Sequence, residues 1–386
     1  MSENPFRIGV HVSGRYFTDR ADEVKRLRRA MREPTRLLVL GPRRMGKSSA
    51  IAVAAEGARR DAILVVRADL STASTLVDVA NRLLASLSAQ REPSWLARLA
   101  GSLAPTVSLT MDPVTGTPRI VFGAETRSAP AARQRRSLEE VIAALAGEAA
   151  GGGRVAVVLD EFQAIVRLGG EEAEWHLRDL MQRHAEVSFI CAGSEVSLVH
   201  EMLGEHRAFF RTFELLHVGP VEPEHLARWI DARLGGAGVE SDGAGEELVD
   251  LAGPRTQDIL QVARHVYVRG LARGSVSAAD VRPALLDVVR EEDHVIRTVW
   301  SDLTVNQQNV LRAVASGAEQ IFSAAVRSRF GLPTSSTVAA AVAALEKRGI
   351  LVREADGSVR FDNPFLRRWV EREAGGDVLP VEMPQD

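Results

Sequence analysis

Short apolar runs alternate with amphipathic stretches through the first half of the chain. The runs lie at Thr35–Leu40, Ala62–Arg67, Val155–Leu159, Ser188–Ala192 and Glu214–Val218. Between them, Ser48–Ala58, Thr75–Ala89, Ser137–Ala150 and Ala173–His184 carry apolar residues at helical spacing. A continuous apolar run predicts a strand buried on both faces, and strand–helix alternation predicts a parallel sheet covered by helices. Residues 92–136 break the rhythm with five scattered prolines, and Val107–Thr110 and Arg119–Gly123 predict a small hairpin inside this insertion. After Gly219-Pro220 the strands stop. Pro223–Gly235, Glu246–Gly253, Gln257–Arg269 and Ala278–Val289 predict a small all-helical unit. From about Val299 the order becomes three helices (Asn306–Ser316, Ile321–Phe330, Ser335–Lys347) and a hairpin (Ile350–Glu354, Ser358–Phe361), the outline of a winged helix-turn-helix. The expected division is residues 1–220, 221–298 and 299–386.

The first strand runs into Gly41-Pro42-Arg43-Arg44-Met45-Gly46-Lys47-Ser48, and a helix follows. Strand, glycine-rich loop and helix are the setting in which G-x-x-x-x-G-K-[ST], the Walker A pattern, cradles phosphates. The glycines let backbone N–H groups turn inward and the helix N-terminus adds its dipole. Lys47 is expected on the β- and γ-phosphates of a nucleotide and the Ser48 hydroxyl on Mg²⁺. The chain has three lysines, Lys25, Lys47 and Lys347, against 45 arginines (48 Lys+Arg less these three). An ammonium and a guanidinium are not interchangeable in a tight cradle, so a lysine here, where the chain otherwise writes arginine, carries weight.

The third run ends in Asp160-Glu161, a Walker B pattern. In nucleotidases of this kind the strand next to the phosphate loop presents an aspartate to Mg²⁺, and an adjacent glutamate accepts a proton from the attacking water. The fourth run ends at Ser194, a candidate to orient that water or touch the γ-phosphate, with a helix N-cap as the competing role. Arg207 and Arg211 flank Phe209-Phe210. Arg211 is the candidate for a finger acting on a neighbouring copy's nucleotide, which would require a homo-oligomer, and a surface ion pair is the alternative.

The 386 residues, 45% of them hydrophobic, allow several cores, and a net charge of −3 gives no global pull toward nucleic acid or anionic membrane. Cys191 is the only cysteine, which excludes a disulfide framework and a C-x-x-C metal site. No apolar stretch is long enough to span a bilayer, and Met1–Arg7 lacks a signal-peptide core. The expectation is a cytoplasmic protein without a membrane partner. Neither Asn-Lys-x-Asp nor Leu-Ser-Gly-Gly-Gln occurs, which argues against Ras-type guanine recognition and a transporter-type ATPase. His200-Glu201 lacks the second histidine of a zincin helix.

Taken together, these residues resemble the archaeal-type ATPases, AAA+-related P-loop proteins of the STAND group that also occur in bacteria. The resemblance covers nearly the whole chain. Tyr16-Phe17-Thr18-Asp19-Arg20-Ala21-Asp22-Glu23 is similar to the family's opening box, which implies that Phe17 and Arg20 frame the adenine. Residues Gly41 to Ser49, Leu159-Asp160-Glu161-Phe162-Gln163 and Ala192-Gly193-Ser194 resemble its phosphate loop, acidic strand end and sensor. Leu303 to Gln308, Leu345 to Leu351 and Phe361 to Trp369 resemble its terminal winged helix. The chain departs from the family at Gly253-Pro254-Arg255-Thr256, where Thr256 stands in place of the usual proline and Arg255 is the candidate to sense the γ-phosphate.

The fold expected is therefore an α/β P-loop NTPase with an AAA+-like parallel sheet, followed by a helical lid and a winged helix-turn-helix domain. The expected activity is Mg²⁺-dependent ATP hydrolysis that drives a switch. The alternative is an ATP-regulated DNA-binding regulator or loader. Duplex DNA or a partner protein would meet the winged domain, whose third helix begins Ser335-Ser336-Thr337 and continues in Ala and Val. Its arginines Arg327, Arg329, Arg353 and Arg360 lie among Glu346, Glu354, Asp356 and Asp362, a weak footprint for phosphates.

Overall fold

A computed structural model describes residues 3–92, 95, 99–100, 107–111, 118–128, 130–194, 196–318, 320–354 and 356–374. The chain forms two compact units, Gly9–Val221 and Met1–Ile8 with Glu222–Asp386.

The first unit runs α1 (Ala21–Arg32), β1 (Arg36–Leu40), α2 (Lys47–Arg60), β2 (Ile63–Asp69) and α3 (Leu76–Ser88). A hairpin of β3 (Val107–Met111) and β4 (Pro118–Phe122) and a short α4 (Ala124–Arg127) follow. The unit ends with α5 (Ala131–Ala150), β5 (Arg154–Asp160), α6 (Ile165–Arg183), β6 (Ser188–Gly193), α7 (Val196–Met202) and β7 (Glu214–His217). The sheet order is β2-β5-β6-β1-β7 with every neighbour parallel. The sequence pattern places the acidic strand β5 next to β1, and the structure corrects this: β6 stands between them and pairs with both.

Because a strand's side chains alternate between faces, each apolar run supplies two cores. Leu37, Val39, Val65, Val158, Ile190 and Ala192 pack with α1 and α2 through Leu27, Met31, Ile51 and Ala54. Leu38, Leu40, Val66, Val157, Leu159 and Cys191 pack on the other face with Leu83, Val141 and Leu177 of α3, α5 and α6. Thr75 and Asp78 form a reciprocal capping box that starts α3. The insertion's hairpin docks on α3 through Asn81, which donates to Phe122 O (3.3 Å) and accepts from Phe122 N (2.7 Å), while Ile120 and Phe122 enter the core. Helix α6 carries non-helical backbone at Gly169 and Gly170, so the periodicity read at Ala173 belongs to its second half.

The second unit contains α8 (Pro223–Gly235), β8 (Glu240–Asp242), α9 (Ala244–Ala252), α10 (Thr256–Gly270), β9 (Ser275–Ser277) and α11 (Val281–Glu291). It continues through α12 (Asp293–Ser301), α13 (Val305–Ala315), α14 (Ala324–Arg329), α15 (Ser335–Lys347), β10 (Leu351–Arg353), β11 (Val359–Phe361) and α16 (Pro364–Trp369). Three helices and the antiparallel β10–β11 pair make the wing motif. The short parallel pair β8–β9 and helices α12 and α16 escape the sequence reading. Phe6 is buried and packs on Trp229, and Arg264 donates to its carbonyl at 2.8 Å, which ties the N-terminal residues to this unit.

Phe162, one residue after Glu161, packs edge-on to Phe209 (5.0 Å between ring centres) and Phe213 (5.7 Å). Phe209 is fully buried, whereas Phe210 is 36% exposed. We expect Phe209→Ala to lower the unfolding free energy by about 3–5 kcal/mol in urea denaturation, with Phe210→Ala changing it by less than about 1 kcal/mol.

Candidate functional site

Strand parity decides which polar side chains meet. Asp160 follows Ala156 and Val158 at spacing two, and Ser194 follows Ile190 and Ala192, so both fall on the α1–α2 face of the sheet. Lys47 opens α2 on that same face. The loop, the acidic strand end and the end of β6 therefore converge at the C-terminal edge of the sheet, where open α/β sheets place ligands.

The loop is shaped by two glycines. A Cβ on Gly41 would lie 2.2 Å from Val218 O, so only glycine allows β1's exit to approach the residue after β7. Gly46 has φ 90°, in the left-handed region, and open space where a Cβ would be. It is the N-cap of α2 and no side chain caps the helix, which leaves the first-turn amides facing the loop. Lys47 is buried, and its ammonium donates to Gly41 O (2.6 Å) and Pro42 O (2.7 Å). Burial lowers its pKa to about 8, against the attraction of Glu161 and Asp160. An ammonium held at that cost by carbonyls alone, beside uncapped amides, fits a polyphosphate.

A hydrogen-bonded line joins the loop to the acids. Arg43 donates to Ser194 Oγ (3.4 Å), and Ser194 donates to Glu161 Oε2 (2.6 Å). Gln163 Nε2 donates to Glu161 Oε2 (2.6 Å) and to Ser194 Oγ (3.3 Å). Glu161 sits at φ 51°, a conformation rare for its type. Gln163 Oε1 is buried without a hydrogen-bond partner among the described residues, an acceptor left over at the site. Asp160 is buried, its Oδ1 accepts the Glu161 N–H (3.1 Å), and its Oδ2 is ion-paired to Arg67. The Ser48 hydroxyl and the Asp160 carboxylate are hard oxygen donors of the kind Mg²⁺ takes beside phosphate. Among the described residues no three His, Cys, Asp or Glu side chains cluster as an all-protein metal site.

The other expected residues make the following contacts. Arg20 is buried at φ 68° and donates to Met45 O (3.2 Å), to Gly219 O and to Glu23 (3.0 Å). These contacts make Arg20 a strut between the phosphate loop and the residue after β7's exit. Phe17 packs on the α1–α2 core, and Ser49 Oγ accepts the Val12 N–H (3.3 Å). Arg44 (φ 67°) is exposed and Met45 is buried beneath the loop. Arg207 pairs with the fully buried Glu174 (2.6 Å) and with Glu201, so it is structural. Arg211 is exposed with its guanidinium 5.1 Å from the Phe210 ring centre. Arg255, in the second unit, is buried and ion-paired to Asp362 and Asp258.

Sequence reasoning missed Arg67, Gln163 and His11. Arg67 had a signal: it is the one charge within the run Ile63 to Ala68, in register opposite Val158. His11 offered none. Its imidazole is held below the ordinary value by burial and then by Arg67, against Asp160 and Asp69.

The AAA ATPase domain family matches residues 16–191, and a family described as "Probable winged helix domain" matches residues 294–372. No curated protein matches the chain in sequence. Among solved structures, the Walker-type ATPase PABY2304 of Pyrococcus abyssi is similar over 92% of this chain and 95% of its own, with TM-score 0.63 and 17% identity. The ORC2 protein of Aeropyrum pernix, in its ADPNP–ADP complexes, is similar over 92% and 93%, with TM-score 0.58 and 14% identity. Within the described residues no helix is long and apolar enough to cross a membrane. With the parallel sheet, the phosphate loop and the wing motif in place, the chain carries an AAA ATPase domain followed by a winged helix domain.

Proposed function

We propose that the chain binds ATP with Mg²⁺ and hydrolyses it, as a switch whose state the winged domain passes on. The observation that carries this reading is the line Arg43–Ser194–Glu161, which ties the phosphate loop to the acid that activates water. Lys47 and the first-turn amides of α2 hold the phosphates, and Ser48 and Asp160 hold the metal. Mg²⁺, when bound, neutralises charge on the β- and γ-phosphates. Glu161 takes the proton of the attacking water at its carboxylate, and Ser194 and Gln163 fix where that carboxylate points. The ADPNP–ADP complexes of the ORC2 neighbour support a nucleotide in this fold. A STAND-type role, an Arg211 finger in a homo-oligomer, an Arg255 sensor, Phe17 against adenine and a cytoplasmic setting belong to the same proposal.

The second reading, DNA binding, rests on the winged helix match. The exposed positions of α15 are Ser335, Ser336, Ala339, Ala340, Ala343 and Lys347, which offer few base-reading donors. Arg360 pairs with Glu354, Arg327 donates to Phe322 O (3.2 Å) and Pro333 O (3.1 Å), and Arg329 stacks 5.3 Å from the Phe330 ring centre. A smooth, alanine-rich face suits a partner protein better than duplex DNA.

Three outcomes check these readings. Lys47→Ala should abolish binding of a fluorescent ATP analogue, while Glu161→Gln keeps binding and loses about 100-fold or more in steady-state phosphate release. Unchanged turnover in Glu161→Gln removes that glutamate from the mechanism. Nucleotide affinity should change little just below a pH of about 8, where Lys47 is already charged. Above it, binding must first protonate the lysine, so affinity should fall by up to about tenfold per pH unit in calorimetric titrations. In fluorescence anisotropy, an Arg327→Ala, Arg329→Ala, Arg360→Ala triple variant should hold duplex DNA no more weakly than wild type; a salt-dependent loss would favour the DNA reading.

A further inference from the structure

Asp160 is a metal-site aspartate whose two oxygens are both already engaged. Strands β2 and β5 are adjacent and parallel, with Arg67 opposite Val158 and Asp69 opposite Asp160. Arg67 lies at spacing two from Ile63 and Val65, so it shares the α1–α2 face with Asp160 and reaches its Oδ2 from one strand over. The Glu161 N–H takes Oδ1. The side chains are 23% and 7% exposed, so water screens the pair only in part. A guanidinium cannot be neutralised by any accessible pH, so the pair opens only when another cation takes the carboxylate or an anion takes the arginine. A metal-bound triphosphate offers both at once.

We propose that Arg67 is an internal counter-cation for Asp160, displaced by the metal that accompanies the nucleotide, and that it thereby sets the chain's metal requirement for loading. This rests on the ATP-binding reading above. Before the metal arrives, Arg67 keeps a buried carboxylate from facing an incoming polyphosphate uncompensated, so nucleotide binds well without metal. After displacement, the guanidinium turns from the carboxylate to phosphate oxygen, for which its donor fork is suited. Arg67 is a positioning residue: it acts through Asp160 and the phosphates, not on the reacting atoms.

The test is a fluorescent ATP analogue titrated into the full chain in EDTA, followed by Mn²⁺ binding to the preformed complex, read by electron paramagnetic resonance. Arg67→Gln keeps a donor for Asp160 and removes the charge. It should weaken metal-free ATP binding by about tenfold and tighten Mn²⁺ binding by about tenfold, two changes of opposite sign that a merely structural role would not produce. Arg67→Lys, which keeps the charge, should stay near wild type in both. Asp160→Asn should show the reverse pattern, with tighter metal-free ATP and weaker Mn²⁺, and it decides the matter if Arg67→Gln does not fold. The inference is overturned if either variant shifts both affinities in the same direction or shifts neither, while wild type binds ATP and Lys47→Ala does not. Failure of wild type to bind ATP with or without metal overturns the proposed function itself, and this inference with it.

Discussion

The period of two along parallel strands decides which strand-end polar groups meet in the first unit. It sends Val155, Val157 and Leu159 to one core and Ala156, Val158 and then Asp160 to the other. The same count delivers Arg67 and Ser194 to the face where α2 begins. A one-residue slip of β5 against β2 would carry Asp160 to the α3 side, away from Lys47, while leaving the apolar count of the strand almost unchanged. Register here is held by the two cores, which differ in the helices that fill them. Packing and chemistry are thus set by one geometric rule.

Much of this was legible in the chain itself. The phosphate loop carries its own mechanism in Gly41, Gly46 and Lys47, and both glycines are required by the backbone the structure adopts. The strands were readable because continuous apolar runs between helical stretches have few other solutions. Strand order was not readable. Placing β6 between β1 and β5 depends on how crossovers pack, and an apolar run does not name its neighbour. Elements with little apolar content, such as the three-residue β8 and β9, leave no periodic signal.

The site residues divide along the same line. Lys47, Asp160, Glu161 and Ser194 stand at element ends in recognisable company, and the structure brings them together. Arg67 and His11 matter through tertiary contacts, of which only the lone charge of Arg67 in an apolar run leaves a local trace. Arginine roles were hardest to assign, because in a chain with 45 of them the side chain serves as strut, ion pair and ring cover by turns (48 Lys+Arg less three lysines). Arg20, Arg207 and Arg255 each proved committed to carbonyls or carboxylates of their own unit.

Arg20 joins the loop to the far end of the sheet's connectivity. Its one guanidinium grips Met45 O in the phosphate loop and Gly219 O just beyond β7, near the end of the first unit. Two backbone segments remote in sequence therefore hang from a single rigid fork. Any rearrangement that lifts the Met45 carbonyl must drag, or let go of, the chain at Gly219. One guanidinium thus couples the position of the loop to that of the chain just past β7.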